Sequence, residues 1–135
     1  MNTQNTLSFV GRLLLATIFL LSGVGKVLAA QGTVAYIASV GLPLPHVSYF
    51  GAVLVELGGG LLLAVGYHAR IAAAALAVFS VVTALIFHNA LGDQNQLFHF
   101  LKDLAIAGGL LQVAAFGAGS FSLDARSPIV ALERR

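Results

Sequence analysis

Residues 71–87 read IAAAALAVFSVVTALIF, a run without one charged side chain. A bilayer's hydrocarbon core takes about 20 predominantly apolar residues per helix, and with the flanking positions this run supplies a span at 71–88. A transmembrane β-strand would be about half as long and would alternate polar with apolar residues. Little alternation is visible here, so the run reads as helix. Working outward, residues 47–65, 97–116 and 7–29 have the same character. The predicted fold class is all-α: one integral membrane domain over residues 1–135, built as a four-helix bundle.

Composition supports this reading. Of 135 residues, 59% are hydrophobic and 9% charged, against about a quarter charged in soluble domains. So few charges could not cover a water-soluble fold. The chain has no cysteine, which excludes structural disulfides, iron–sulfur ligation and dithiol redox chemistry by this chain itself. Any redox role must use a cofactor or a partner. The net charge of +2 comes from arginines at helix ends and in the tail, too sparse to track a phosphate backbone, so nucleic-acid binding is not expected. Arg12 ahead of an apolar run, with Leu28, Ala29 and Ala30 as small-residue positions, loosely resembles a secretory signal. Retention of the segment as a span is the favoured reading, and three further spans would hold the protein in the membrane either way.

The connections differ. Gly66, Tyr67, His68, Ala69 and Arg70 read as a tight turn, whereas 31–46 is long enough to carry a short interfacial helix near 33–40. Pro43 and Pro45 would end that helix, because each lacks an amide donor and pushes its predecessor out of the helical region. The stretch 89–96, polar and containing Gly92 and Asp93, reads as a loop. Four spans place both termini on one face. That face collects Arg12, Arg70, Arg126, Arg134 and Arg135, against Lys26 and Lys102 on the other, so the positive-inside rule puts both termini in the cytoplasm. Arg12 is read as an anchor at the cytoplasmic interface, and 120–135, with its mixed charge and Pro128, as a surface-lying or mobile tail.

Several short pieces, in order, resemble the DoxX family of small bacterial inner-membrane proteins. They are Arg12 with FLLSGVGK at 19–26, Tyr36 with GLPLP at 41–45, and VELGGG at 55–60 running on to Arg70. His88 and Asn89, then His99 with Lys102, and finally GSFSLD at 119–124 complete the series. The resemblance covers 11–124. It implies a multi-pass protein of the bacterial inner (cytoplasmic) membrane, and some relatives resemble subunits of quinone-linked oxidoreductases or of oxidative-stress complexes. A family position that often reads Lys-Asn is Lys102-Asp103 here, which adds a carboxylate.

Ionisable residues inside a span are costly, from roughly 2.5 kcal/mol upward, and are functional candidates by default. Glu56 is the deepest, roughly 13 Å from the outer start of its span at 1.5 Å per residue. Lys26, Lys102 and Asp103 lie roughly 4 to 9 Å below the outer surface, with His88 and His99 near it. His99, Lys102, Asp103 and Ile106 recur at helical spacing, although the adjacent Lys102 and Asp103 cannot both face the bundle centre. With that face turned inward, Lys26, Glu56, Lys102 and Asp103 would form a charge-balanced group capped by His88 and His99, with Asn89 and Tyr36 as further ligand contacts. The bland alternative has the lysines snorkelling to the interface and Glu56 serving as a paired structural residue. Haem ligation by His88 and His99 is disfavoured, and no metal site is expected. The glycines 58–60, with Gly108 and Gly109, read first as helix-contact positions, with a flat ligand groove as the lesser alternative.

No complete catalytic constellation is present. The leading expectation is a small membrane subunit of an oxidoreductase system that binds a quinone or another apolar molecule in its outer half. There Glu56 and Lys102 would handle a proton or fix a carbonyl oxygen. The alternatives are a non-catalytic scaffold, recruiting an oxidoreductase partner or forming a homo-oligomer, and a small transporter.

Overall fold

The computed structural model describes residues 2–126. Its helices are α1 (Thr3–Leu28), α2 (Ala30–Ser39), α3 (Pro45–Val65), α4 (Ala69–Phe87) and α5 (Gln94–Phe116), followed by a 3-10 turn at Asp124–Arg126. Among the described residues four helices, α1, α3, α4 and α5, are long and apolar enough to cross a membrane. They coincide with the four expected spans but begin a few residues earlier. Hydropathy locates the part in lipid, whereas capping chemistry sets where a helix starts. The Asn2 side chain accepts from the Asn5 amide at 2.8 Å, and Asp93 Oδ1 accepts from the amides of Asn95 and Gln96 at 2.8 and 3.3 Å. Pro45 opens α3, a position where its missing amide costs nothing.

α1 pairs with α3 and α4 with α5, α3 joins the two pairs, and α2 lies on α3. Burial falls on small residues: Ala69, Ala73, Ala77, Ser80 and Ala84 form a buried seam along α4. Lipid and leucine are equally apolar, so close backbone approach, not escape from water, is what such a seam supplies. Leu63, Leu76 and Leu110 fill the centre of the core. Leu7, Leu14, Leu21 and Leu28, seven apart, are all at least 66% exposed. Such an outward row of leucine suits lipid and would be a liability in water.

The end of the bundle that carries the start of α1, the α3–α4 turn and the end of α5 will be called the terminal end. The opposite end, with α2 and the Asp93 loop, is the loop end. Two expectations bear on the terminal end. Arg12 is not an interface anchor: it is 1% exposed, and its guanidinium donates to the carbonyls of Leu63 and Ala64 at 2.6 Å and of Phe121 at 2.5 Å. The last carbonyls of α3 lack intrahelical partners, and a planar fork of donors meets them where lipid could not. Residues 120–126 lie on the surface, one of the two forms expected of the tail, but are tied to the α3–α4 turn. Leu123 and Asp124 amides donate to the carbonyls of Val65 and Gly66, while the Asp124 carboxylate accepts from the amides of His68 and Ala69 at 2.7 and 2.9 Å. Asp124 thus serves as the N-terminal cap that α4 lacks locally. Gly66, at φ +71, makes the turn, and a Cβ there would collide with Ser122 and the Arg12 guanidinium. The rest of the expected tail, with Pro128, Arg134 and Arg135, lies outside the described residues.

Candidate functional site

α1 breaks at Ala29 (φ −120, ψ 46) and α2 starts at the next residue. This turns 30–39 across the face of α3, where the sequence suggested an interfacial helix at 33–40. A cavity of about 740 Å³ lies beneath it. Gly32, Thr33, Tyr36 and Ile37 of α2 line one side, Ser48, Gly51 and Val55 of α3 the floor, and Phe79, Thr83 and Ile86 of α4 the other side. Its size falls within the range of small-molecule sites, about 300 to 1,000 Å³, and its apolar walls with a few polar groups are typical of them.

Lys26 and Glu56 are the charged residues on this wall. Glu56, midway along α3, is 4% exposed. Helical side chains lean towards the N-terminus of their helix. The Lys26 stem accordingly runs back along α1, and its ammonium donates to Ser22 Oγ at 2.8 Å and to Glu56 Oε1 at 3.0 Å. Ser22 Oγ in turn donates to Glu56 Oε1 at 3.0 Å. Lys26 therefore points away from the loop end, opposite to the snorkelling direction. Glu56 Oε2 lies 3.0 Å from the same ammonium but receives no aligned hydrogen bond. The pair interacts there by charge alone, and the oxygen keeps an acceptor position. The Tyr49 hydroxyl donates to the Lys26 carbonyl at 3.1 Å and ties α3 to the end of α1.

The expected four-charge group is split. Lys102 is exposed, and Asp103 belongs to a second cluster with His88 and His99. Asp103 Oδ2 is 3.8 Å from His88 Nε2, beyond hydrogen-bond distance, and is buried without a partner. His88 Nδ1 and Gln96 Oε1 are 3.3 Å apart. A neutral ring that donates there turns only a lone pair towards Asp103, whereas a protonated ring turns an N–H towards it. The rings of His88 and His99 stack at 5.0 Å with an interplanar angle of 22°. This face-to-face arrangement differs from the end-on approach of two axial ligands to a haem iron. Among the described residues no three His, Asp or Glu side chains are grouped to hold a metal.

His88 also lines the cavity and so connects the clusters. Tyr36 lines it and stacks on Phe87 at 5.5 Å. Asn89 is exposed and does not line it. Nor do glycines 58–60. A Cβ on Gly59 would stand 3.0 Å from Leu76 and one on Gly60 3.0 Å from Leu20, so both are helix contacts, as is Gly109 against Leu15. Gly58 and Gly108 have open space around them and are not. Ser22 was missed as a member of the site, although its position four residues before Lys26 was a usable signal. Thr33, Ser48 and Thr83 were missed because a hydroxyl in an apolar span so often bonds its own helix, as Ser80 does to Leu76 O at 2.9 Å.

The DoxX family profile matches residues 7–89, from the first turns of α1 to just past the end of α4. The chain belongs to the DoxX family. It is 36% identical over 118 residues to the inner membrane protein YqjF of Escherichia coli K12, covering 85% of this chain and 87% of that one. It is 33% identical over 125 residues to the inner membrane protein YphA of the same organism, covering 89% of each. Those alignments must run beyond residue 89 into α5, where the sequence resemblance had placed His99 and Lys102. No solved structure matches. With its four spans, this DoxX protein is a multi-pass inner-membrane protein surrounded by the lipid bilayer.

Proposed function

We propose that this DoxX protein binds a quinone, or a similarly apolar molecule bearing a carbonyl or hydroxyl, in the cavity beneath α2, and serves as a small subunit of an oxidoreductase system. The observation that carries this reading is the Lys26–Ser22–Glu56 network set into the wall of an otherwise apolar cavity. The Lys26 side chain is 27% exposed against 5% for Glu56. Lys26 is thus the donor within reach of a carbonyl oxygen, and Glu56 the acceptor that fixes the ammonium and can receive a hydroxyl. Lys26 takes the part expected of Lys102. A buried polar pair left half-used by an apolar ligand would be a net cost, so a ligand with one polar end is favoured over a plain hydrocarbon.

Protein purified from native membranes should retain a quinone on solvent extraction, and Glu56→Gln should lower that retention by about tenfold, the worth of one charge-assisted contact. No retained quinone, together with unchanged respiration in a Glu56→Gln strain, would count against the proposal. The scaffold alternative is better tested at Gly58 than at Gly59. Leucine at Gly59 would disturb the packing against Leu76 within this chain, whereas Gly58 faces open space. Loss of assembly in Gly58→Leu with quinone retention intact would favour a scaffold.

A further inference from the structure

The side of the cavity between α2 and α4 is its weakest wall. α2 packs on α3 and slightly on α1, but has no extensive contact with α4. Tyr36 stacked on Phe87 is the fastening between them, and both rings line the cavity. α2 is also held between two joints: the non-helical, uncapped Ala29 and Gly41 at φ +84, which leads into Pro43, Leu44 and Pro45. On α4, Val82 lines the cavity yet is 45% exposed, in a row with the exposed Val78 and Leu85. That row lies within the uncharged stretch 71–87, so it faces hydrocarbon. On α4, cavity lining and lipid-facing surface therefore meet at Val82, roughly 20 Å along the helix and well inside the span. On α3 the cavity-lining Gly51 has open space where a Cβ would stand.

We infer that the cavity is loaded sideways from the bilayer, between α2 and α4, with Tyr36 and Phe87 as the latch. Its ligand is then a molecule dissolved in lipid, not one that arrives from water; the ligand's polar chemistry rests on the function proposed above, but the route does not. A single aromatic stack is a weak closure, suited to a segment that must open and shut around a ligand.

The chain has no cysteine, so Thr83→Cys places one thiol in the cavity wall. Reconstituted in phosphatidylcholine–phosphatidylglycerol liposomes, it is treated either with lipid-soluble pyrenyl maleimide or with a sulfonated, impermeant maleimide on both faces. Each rate is normalised to that of the denatured protein. The lipid-soluble reagent should react about tenfold faster or more. Tyr36→Ala and Phe87→Leu should each raise that rate roughly five- to tenfold, as loss of one aromatic stack allows, and leave the sulfonated rate unchanged. Tyr36→Phe keeps the stack and should match the parent, which separates a lost latch from a lost fold. Equal reaction with the sulfonated reagent, no reaction with either, or latch variants without effect would overturn the inference. Quinone retention measured in parallel keeps the two ideas apart. Lateral labelling without retained quinone removes the binding proposal and leaves the route, whereas retention with equal labelling does the reverse.

Discussion

Three backbone carbonyls converge on the Arg12 guanidinium, and one carboxylate, with Ser22, holds the Lys26 ammonium. The two cations answer different needs. Arg12 closes the end of a helix that lipid cannot solvate, and its value is geometric, so Arg12→Lys should fail despite the retained charge. A loss of about 2 kcal/mol is expected, read as a shift in the midpoint of denaturant unfolding in detergent micelles. Lys26 and Glu56 instead neutralise each other in an apolar span. Lys26→Met should cost about 3 kcal/mol by leaving a buried carboxylate unpaired, and Lys26→Met with Glu56→Met should recover most of it. Additive losses in that double-mutant cycle would mean that the two side chains do not meet. Glu56 was legible in the sequence because an acid so deep in a span is expensive. Arg12 was misread, since its distance from the helix end suits an interface anchor and nothing local shows that α3 ends against it.

At the scale of elements, glycine positions that look alike in sequence have opposite consequences. A Cβ on Gly23 would come within 2.6 Å of Leu57, where α1 meets α3, whereas nothing lies within 4 Å of one on Gly58. Gly23→Ala should therefore destabilise the protein by about 1 to 3 kcal/mol through overpacking. Gly58→Ala should be neutral or stabilising by up to about 1 kcal/mol, since alanine is the better helix former. Thermal unfolding followed by circular dichroism checks both, and equal effects would contradict the α1–α3 packing. Helix identities and most boundaries followed from hydropathy. The helix starts moved because capping by Asn2 and Asp93 reaches beyond the apolar run, and Asp124 had no readable cap role because it acts from more than fifty residues away along the chain.

For the whole molecule, the excess of arginine at the terminal end predicts both termini in the cytoplasm. Alkaline phosphatase fused in the loop at Asp93 should be active and green fluorescent protein fused at the C-terminus fluorescent. The reverse pattern would invert the protein and turn the cavity's end of the bundle towards the cytoplasm. Four spans, their helical character and the presence of a costly acid were determined by the sequence itself. In lipid each span must satisfy its own backbone, so length and hydropathy suffice to announce it. Which charges meet was decided only by the tertiary structure. On α5 the adjacent Lys102 and Asp103 differ by about a third of a helical turn, and the rotation set by packing against α4 sends one outward and the other to His88. Packing of α1 against α3 brings Lys26 to Glu56, thirty residues apart along the chain. The cavity arises because α2 folds back over α3 at a break that a single unremarkable alanine, Ala29, provides, and leaves a space towards α4.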